Sequence, residues 1–229
     1  MASIQKVPTG EFHSGYGCII MSAVVGVFGF IVWWGYYTLT TMDEAIAAIT
    51  QSTPVKLPEV APVPGLEQKL ADFAALAKAG KPATLKLSVT EINALILLAP
   101  DTGSGSYKDM LRVKSLDAAK QTIITEASLP MNTKKFWEDT KRYLVGEVDF
   151  TLEMTEVGPD AKVSDVRVPG KTVPVEMVKG MAMYGYLRPY QNDPALEPVL
   201  QAIKQCKVEA DGLVLSTVPG EESKGASEK

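Results

Sequence analysis

Histidine and cysteine are the side chains that most readily supply bases, nucleophiles and soft metal ligands near neutral pH. This chain of 229 residues holds one histidine, His13, and two cysteines, Cys18 and Cys206. His13 precedes a long apolar run and Cys18 lies at its start, so neither is expected beside the polar residues that follow that run. A Ser-His-Asp triad, a Cys-His pair and a histidine-ligated zinc site are therefore not expected in the C-terminal part. Cys206 has no cysteine or histidine near it in sequence and reads as an inert residue at a helix end. Carboxylates are the remaining option, since a pair of acids hydrolyses glycosides without histidine. Glu147, Asp149 and Glu153 share one face of an alternating segment, which is also the signature of a solvated sheet face, and that reading is adopted here. Gly103-Ser104-Gly105 is too short for a phosphate cradle and follows a helix instead of preceding one. No catalytic or metal-binding residue is assigned, and no cofactor is expected.

The residues left with a functional reading are mostly apolar. Met177, Met181, Met183, Tyr184, Tyr186 and Leu187 make a soft, adaptable surface suited to a variable apolar partner. Combined with the dry side of the alternating strand, this gives a candidate face for an apolar ligand: Val148, Phe150, Leu152, Met177, Met181 and Tyr184. Core packing is the competing explanation of the same residues. Farther upstream, Ser22, Gly26 and Gly29 form a small-residue stripe on which another membrane helix can pack.

That stripe belongs to the most informative segment of the chain. Between Glu11 and Asp43 there is no Asp, Glu, Lys or Arg, and the run from Gly17 to Leu39 is apolar or aromatic almost throughout. About 20 apolar helical residues cross a hydrocarbon core of about 30 Å. Trp33, Trp34, Tyr36 and Tyr37 crowd one end, with Phe12 and Tyr16 at the other, as amphipathic rings prefer the headgroup level. A cleaved signal peptide is the alternative, with Ala45-Ile46-Ala47 as its cleavage site, but the apolar run exceeds the usual length of about 7 to 15 residues. Lys6 precedes the span, whereas no lysine follows it until Lys56, which favours a cytoplasmic N-terminus and a C-terminal domain in a periplasm or an extracellular space.

The organisation expected is a cytoplasmic tail over residues 1–16, a transmembrane anchor over 17–41, a stalk and proline-rich linker over 42–65, one extracytoplasmic domain over 66–218 and a disordered tail over 219–229. Met42 to Thr50 continues the helix as a short stalk. Pro54, Pro58, Pro62 and Pro64 remove amide donors and favour extended chain, which reads as a semi-rigid tether. Leu66 to Ala79 has helical spacing and stops at Gly80. Leu85, Leu87 and Val89 alternate as in a strand, and Ser88 to Glu91 has the spacing of a capping box that starts a helix ending near Leu98. Pro100 and the loop Asp101 to Ser106 end it. Leu111, Val113 and the segment Thr122 to Leu129 suggest strands. The clearest alternation runs from Leu144 to Thr155, with a turn at Gly158-Pro159-Asp160 and a return strand from Ala161 to Val168. Val175 to Tyr186 reads as a helix. Asp193-Pro194 opens another that runs to Cys206, and Asp211-Gly212 marks a closing hairpin.

The phrase LKLSVTEINALI, Leu85 to Ile96, resembles one near the start of small anchored envelope proteins of the YpmS type. The order of later elements over Thr84 to Thr217, including VSDVRVPGKTVPVEMV, is similar to that of YpmS-like and LmeA-like domains. The resemblance implies a curved antiparallel sheet with helices on its concave face, an architecture associated with lipid or other apolar ligands.

The fold class expected is thus α+β, one N-terminal transmembrane helix followed by a curved antiparallel sheet packed with helices on one face. The expected function is a membrane-anchored, non-enzymatic binding or scaffolding module of the cell envelope, with a tethered lipid or apolar-ligand carrier as the alternative. Its partners are the lipid bilayer, a membrane or envelope protein, and a lipid in the carrier reading. Nucleic acid is not among them, because 23 basic against 27 acidic residues give a net charge of -4 and no basic run. If the Phe150 face is core, Phe150→Ala costs about 3 to 5 kcal/mol in denaturant titrations and Thr151→Ala less than about 0.5 kcal/mol. A mild Phe150→Ala that instead releases bound lipid identifies the carrier.

Overall fold

The computed structural model describes residues 14–100, 107–132 and 141–218. Phe12, His13, the loop Asp101 to Ser106 and the tail from residue 219 lie outside them. Helix α1, Ser14–Ile49, is 36 residues long, about 54 Å at the rise of an α-helix. No proline interrupts the sequence between Pro8 and Pro54, and nothing forces the helix to stop at the end of the apolar run. The hydroxyls of Thr38 and Thr41 donate back to the carbonyls of Trp34 and Tyr37 at 2.8 and 3.0 Å, so they need no water. The chain divides into two compact units between Ala45 and Ile46.

The second unit is α+β with two antiparallel sheets, where one sheet was expected. Its elements are β1 (Thr50–Gln51), α2 (Leu66–Lys78), β2 (Thr84–Leu87), α3 (Val89–Leu98), a 3₁₀ turn (Tyr107–Asp109), β3 (Leu111–Asp117), β4 (Thr122–Asn132) and β5 (Lys141–Thr155). They continue with β6 (Gly158–Arg167), α4 (Val175–Ala182), α5 (Arg188–Gln191), α6 (Glu197–Ala202), β7 (Gln205–Glu209) and β8 (Gly212–Ser216). The larger sheet has the order β1-β5-β4-β3, with β6 also pairing β5 along the residues that β1 leaves free. The smaller has the order β2-β8-β7. The closing hairpin thus joins β2, not the long strands.

Alternation along β5 sets the two faces of the larger sheet. Leu144, Val148 and Phe150 are buried, and in register with them lie Leu129, Thr125 and Ile123 of β4 and Val166 and Val163 of β6. Cover runs out toward the hairpin, where Leu152 is half-buried and Met154 exposed. Gly146 sits where β6 leaves the sheet: a Cβ there would collide with the carbonyl of Arg167, so only glycine permits the approach. The core continues through Leu66 and Phe73 of α2, Leu85 and Leu87 of β2, and Ile92 of α3. The capping box on α3 forms as its spacing predicts, with the Glu91 N–H donating to Ser88 Oγ and the Ser88 N–H to Glu91 Oε2.

Several elements depart from expectation, each for a local reason. The proline-rich segment is not a free tether: the Val55 N–H donates to Ser128 Oγ, Arg112 donates to the Pro58 carbonyl, and Val60 and Val63 pack on the core. Prolines lack N–H groups but keep their carbonyls, so a strap without a ladder can still be bound through acceptors. The β5–β6 turn is Glu156-Val157, with Thr155 opposite Gly158, whose φ of 117° suits glycine. Helix α4 ends at Ala182, because Asp160 accepts from the Leu187 N–H at 3.1 Å and the Tyr186 N–H reaches the Ala161 carbonyl, drawing the chain onto the strand. Asp193 caps a turn through the Ala195 N–H at 2.8 Å, and α6 forms only beyond it. Cys206 therefore lies on β7, and the β7–β8 turn is Ala210-Asp211.

Two side-chain amides close strand edges. Asn93 Nδ2 donates to the Val113 carbonyl at 2.8 Å while Asn93 Oδ1 accepts from the Val113 N–H at 2.7 Å, imitating a neighbouring strand on β3. Gln121 does the same for Val208 on β7, at 2.9 and 3.0 Å. Gln121 stands in the β3–β4 turn at φ 54°, the one positive-φ residue other than glycine among those described. Its clamp ties the larger sheet to the smaller. Gln121→Asn tolerates that backbone but is too short to reach Val208. It should cost about 1 to 3 kcal/mol in denaturant titrations and speed amide exchange at Val208.

Candidate functional site

The residues expected to form an apolar-ligand face do not come together as one open surface. Val148 and Phe150 are buried in the core, and the ring of Tyr186 meets Phe150 edge-on at 5.1 Å. Met177 and Met181 pack partly buried against that core, whereas Tyr184 is 57% exposed. Tyr186, not Tyr184, fills the space over Phe150. Burial pushes the Tyr186 phenol up to about 12 and raises that of Tyr107 as well, so both stay protonated at neutral pH. Burial also pushes the Cys206 thiol up to about 11, which suppresses the thiolate a reactive cysteine needs.

In the first unit, Ser22, Gly26 and Gly29 are exposed, and the space around both glycines is open to 4 Å. At helical spacing they lie on one side of α1. Trp33, Trp34, Tyr36 and Tyr37 are all more than half exposed, with the Trp33 and Tyr37 rings stacked at 5.9 Å. The segment Met21–Thr38 is long and apolar enough to cross a membrane, and none of it is buried.

Charge gathers on the polar face of the larger sheet. Arg112, Glu126, Glu147 and Arg167 stand in one cross-strand row over β3, β4, β5 and β6. The Arg167 guanidinium forks onto Asp149, Nη1 to Oδ2 at 2.8 Å and Nη2 to Oδ1 at 2.6 Å, and also reaches Asp165 and Glu147. Lys114 donates to Glu147 at 2.5 Å. Asp149 is 7% exposed, so the row read as a solvated face is in part a buried ion-pair network. The hydrogen bond to Asp149 holds Arg167 firmly protonated, and the one from Lys114 holds the Glu147 carboxyl below the usual carboxylate range. Glu153 pairs with Lys162 at the sheet's exposed end. Glu147, Asp149 and Glu153 are thus each engaged with a basic side chain.

A cavity of about 300 Å³ opens beside this row. The proline-rich strap contributes Pro58, Glu59, Val60 and Ala61, α3 contributes Thr90 and Asn93, and the sheet contributes Arg112, Val113, Lys114 and Glu126. Arg112 is 9% exposed and its guanidinium donates to the carbonyls of Pro58, Lys108 and Leu111. It therefore holds the strap, the 3₁₀ turn and β3 together at the cavity wall.

No protein-family model, curated protein or solved structure matches this chain. The cavity is therefore read from its own residues. Sequence patterns do not single out Arg112, Asn93 or Glu126. The alternation of Arg112, Lys114 and Glu126 with buried neighbours marks them as one sheet face, but nothing local signals that a proline-rich strap closes over them.

Because the folded-state pKa of Glu147 is lowered, its contribution to stability is fully present above the ordinary value of 4.5 and is lost as pH falls through the folded value. Denaturant titrations at about pH 7 and about pH 3 should therefore show a smaller acid loss for Glu147→Gln than for the parent chain. Equal losses would mean that the Lys114 contact contributes nothing.

Proposed function

We propose that this chain is a single-pass membrane protein that presents a non-enzymatic binding or scaffolding domain on the outer side of the membrane, as part of a cell envelope. The observation that carries the reading is Met21–Thr38, a helical segment of 18 residues that is apolar enough to cross a membrane and has none of its length buried. A soluble protein that left such a surface bare would aggregate. The aromatic girdle at Trp33 to Tyr37 and the inward-bonded threonines fit the headgroup end of a span. The N-terminus is placed in the cytoplasm on the weak excess of basic residues on that side. The bilayer is the first partner, and the stripe of Ser22, Gly26 and Gly29 is where a membrane or envelope protein helix would approach.

The non-enzymatic reading draws on Glu147 and Asp149, whose carboxylates are committed to Lys114 and Arg167, and on the suppressed acidity of Cys206 and Tyr186. The lipid-carrier alternative draws less support, because Val148 and Phe150 are packed and Tyr186 covers them. Kinship with the YpmS-like and LmeA-like envelope domains remains part of the proposal and rests on Leu85 to Ile96.

The chain should stay in the membrane pellet after alkaline carbonate extraction. In intact cells stripped of their wall, added protease should digest the C-terminal domain and spare an N-terminal tag. Digestion only after lysis overturns the orientation, and release by carbonate overturns the anchor.

A further inference from the structure

The cavity beside the strap holds two charges of opposite sign that face each other in register and do not pair. Arg112 and Glu126 are direct cross-strand partners, positions whose Cβ atoms lie about 5 Å apart. The Arg112 guanidinium is nonetheless turned onto the carbonyls of Pro58, Lys108 and Leu111, and among the described residues it meets no carboxylate. Carbonyl dipoles solvate a buried guanidinium without neutralising it. Glu126 makes no ion pair among the described residues and faces a second acid, Glu147, on its other side. Glu126 still feels the Lys114 ammonium from a distance, but neither it nor Arg112 is closed into an ion pair among the described residues, and both line the same space of about 300 Å³, which lies at the small end of the range for small-molecule sites.

The rest of the lining repeats this division of charge. Lys114, which pairs with Glu147, adds a second cation and Thr90 brings the first turn of α3, where anions are favoured, while Glu59, which pairs with Lys56 at the exposed rim, adds a second acid. A simple anion would be repelled by the acids, and a simple cation by Arg112 and Lys114. A ligand that carries both charges a few bonds apart meets each with its complement. We infer that the cavity binds a small zwitterion bearing an ammonium and a carboxylate, as free amino acids and short peptides do, with its carboxylate toward Arg112 and its ammonium toward Glu126. The inference rests on reading the domain as a binding module, and is independent of whether α1 spans a membrane.

Calorimetric titration of the full-length chain in detergent tests it, with L-alanine and L-alanyl-L-alanine as probes. At least one should bind, and the tighter of the two tells the free amino acid from the peptide. For that probe, the N-acetylated form and the carboxamide form should each bind about tenfold more weakly or worse, the worth of one charged contact. Glu126→Gln removes a repulsion with Glu147 and should fold. It should weaken the unblocked probe about tenfold and leave the N-acetylated form unchanged. Lys114→Met is the second variant, and should weaken the unblocked probe and spare the carboxamide form. Absence of heat with both probes, equal binding of the blocked forms, or unchanged affinity in both variants overturns the proposal. Any of these results in a protein that stays in carbonate-washed membranes leaves the anchored module standing.

Discussion

Register on β5 is the constraint from which most of the second unit follows. This strand carries 15 residues and pairs with β1, β4 and β6, so that three strands take their side-chain orientation from it. Side chains alternate with a period of two, and a slip of one residue would put Glu147 and Asp149 into the core and Phe150 into water. The native register instead stacks Val148 with Thr125 and Val166, and Glu147 with Glu126 and Arg167. Each face supports the other, because the Arg167 fork on Asp149 can form only in the register that buries Val148.

A sheet built around one long strand has edges that must be closed, and here the closure is made by side chains. Asn93 and Gln121 present both halves of an amide to the backbone of Val113 and Val208, as a further strand would. A satisfied edge is a poor template for pairing with other chains. The Gln121 clamp adds a second role, since it reaches from a turn of the larger sheet to the edge of the smaller. The positive φ of that residue is strain retained where the two sheets are joined.

The proline-rich strap shows how a segment without ladder-forming capacity becomes part of a site. It is fastened by the Val55 N–H, by the packing of Val60 and Val63, and by the Pro58 carbonyl, which accepts from the guanidinium of Arg112, the cross-strand neighbour of Glu126. Arg112 is turned to the strap, Glu126 makes no ion pair among the described residues, and a cavity lies between strap and sheet.

What the sequence determined by itself is local in origin. An unbroken apolar run without proline becomes α1, the Ser88 to Glu91 spacing becomes the capping box of α3, and the alternation from Leu144 becomes the two faces of β5. Periodicity and capping act within a few residues, so they are visible without a partner. Tertiary structure alone decided the rest: the second sheet, the strap on Ser128, the early end of α4, the place of Cys206 on β7, and Tyr186 in place of Tyr184 over Phe150. These depend on contacts such as Val55 with Ser128, 73 residues apart, and Gln121 with Val208, 87 apart. The candidate site belongs wholly to this second class. Arg112, Asn93 and Glu126 are ordinary polar residues on a strand or helix until chain folding brings the strap over them, and no local pattern encodes a meeting of elements so far apart in sequence.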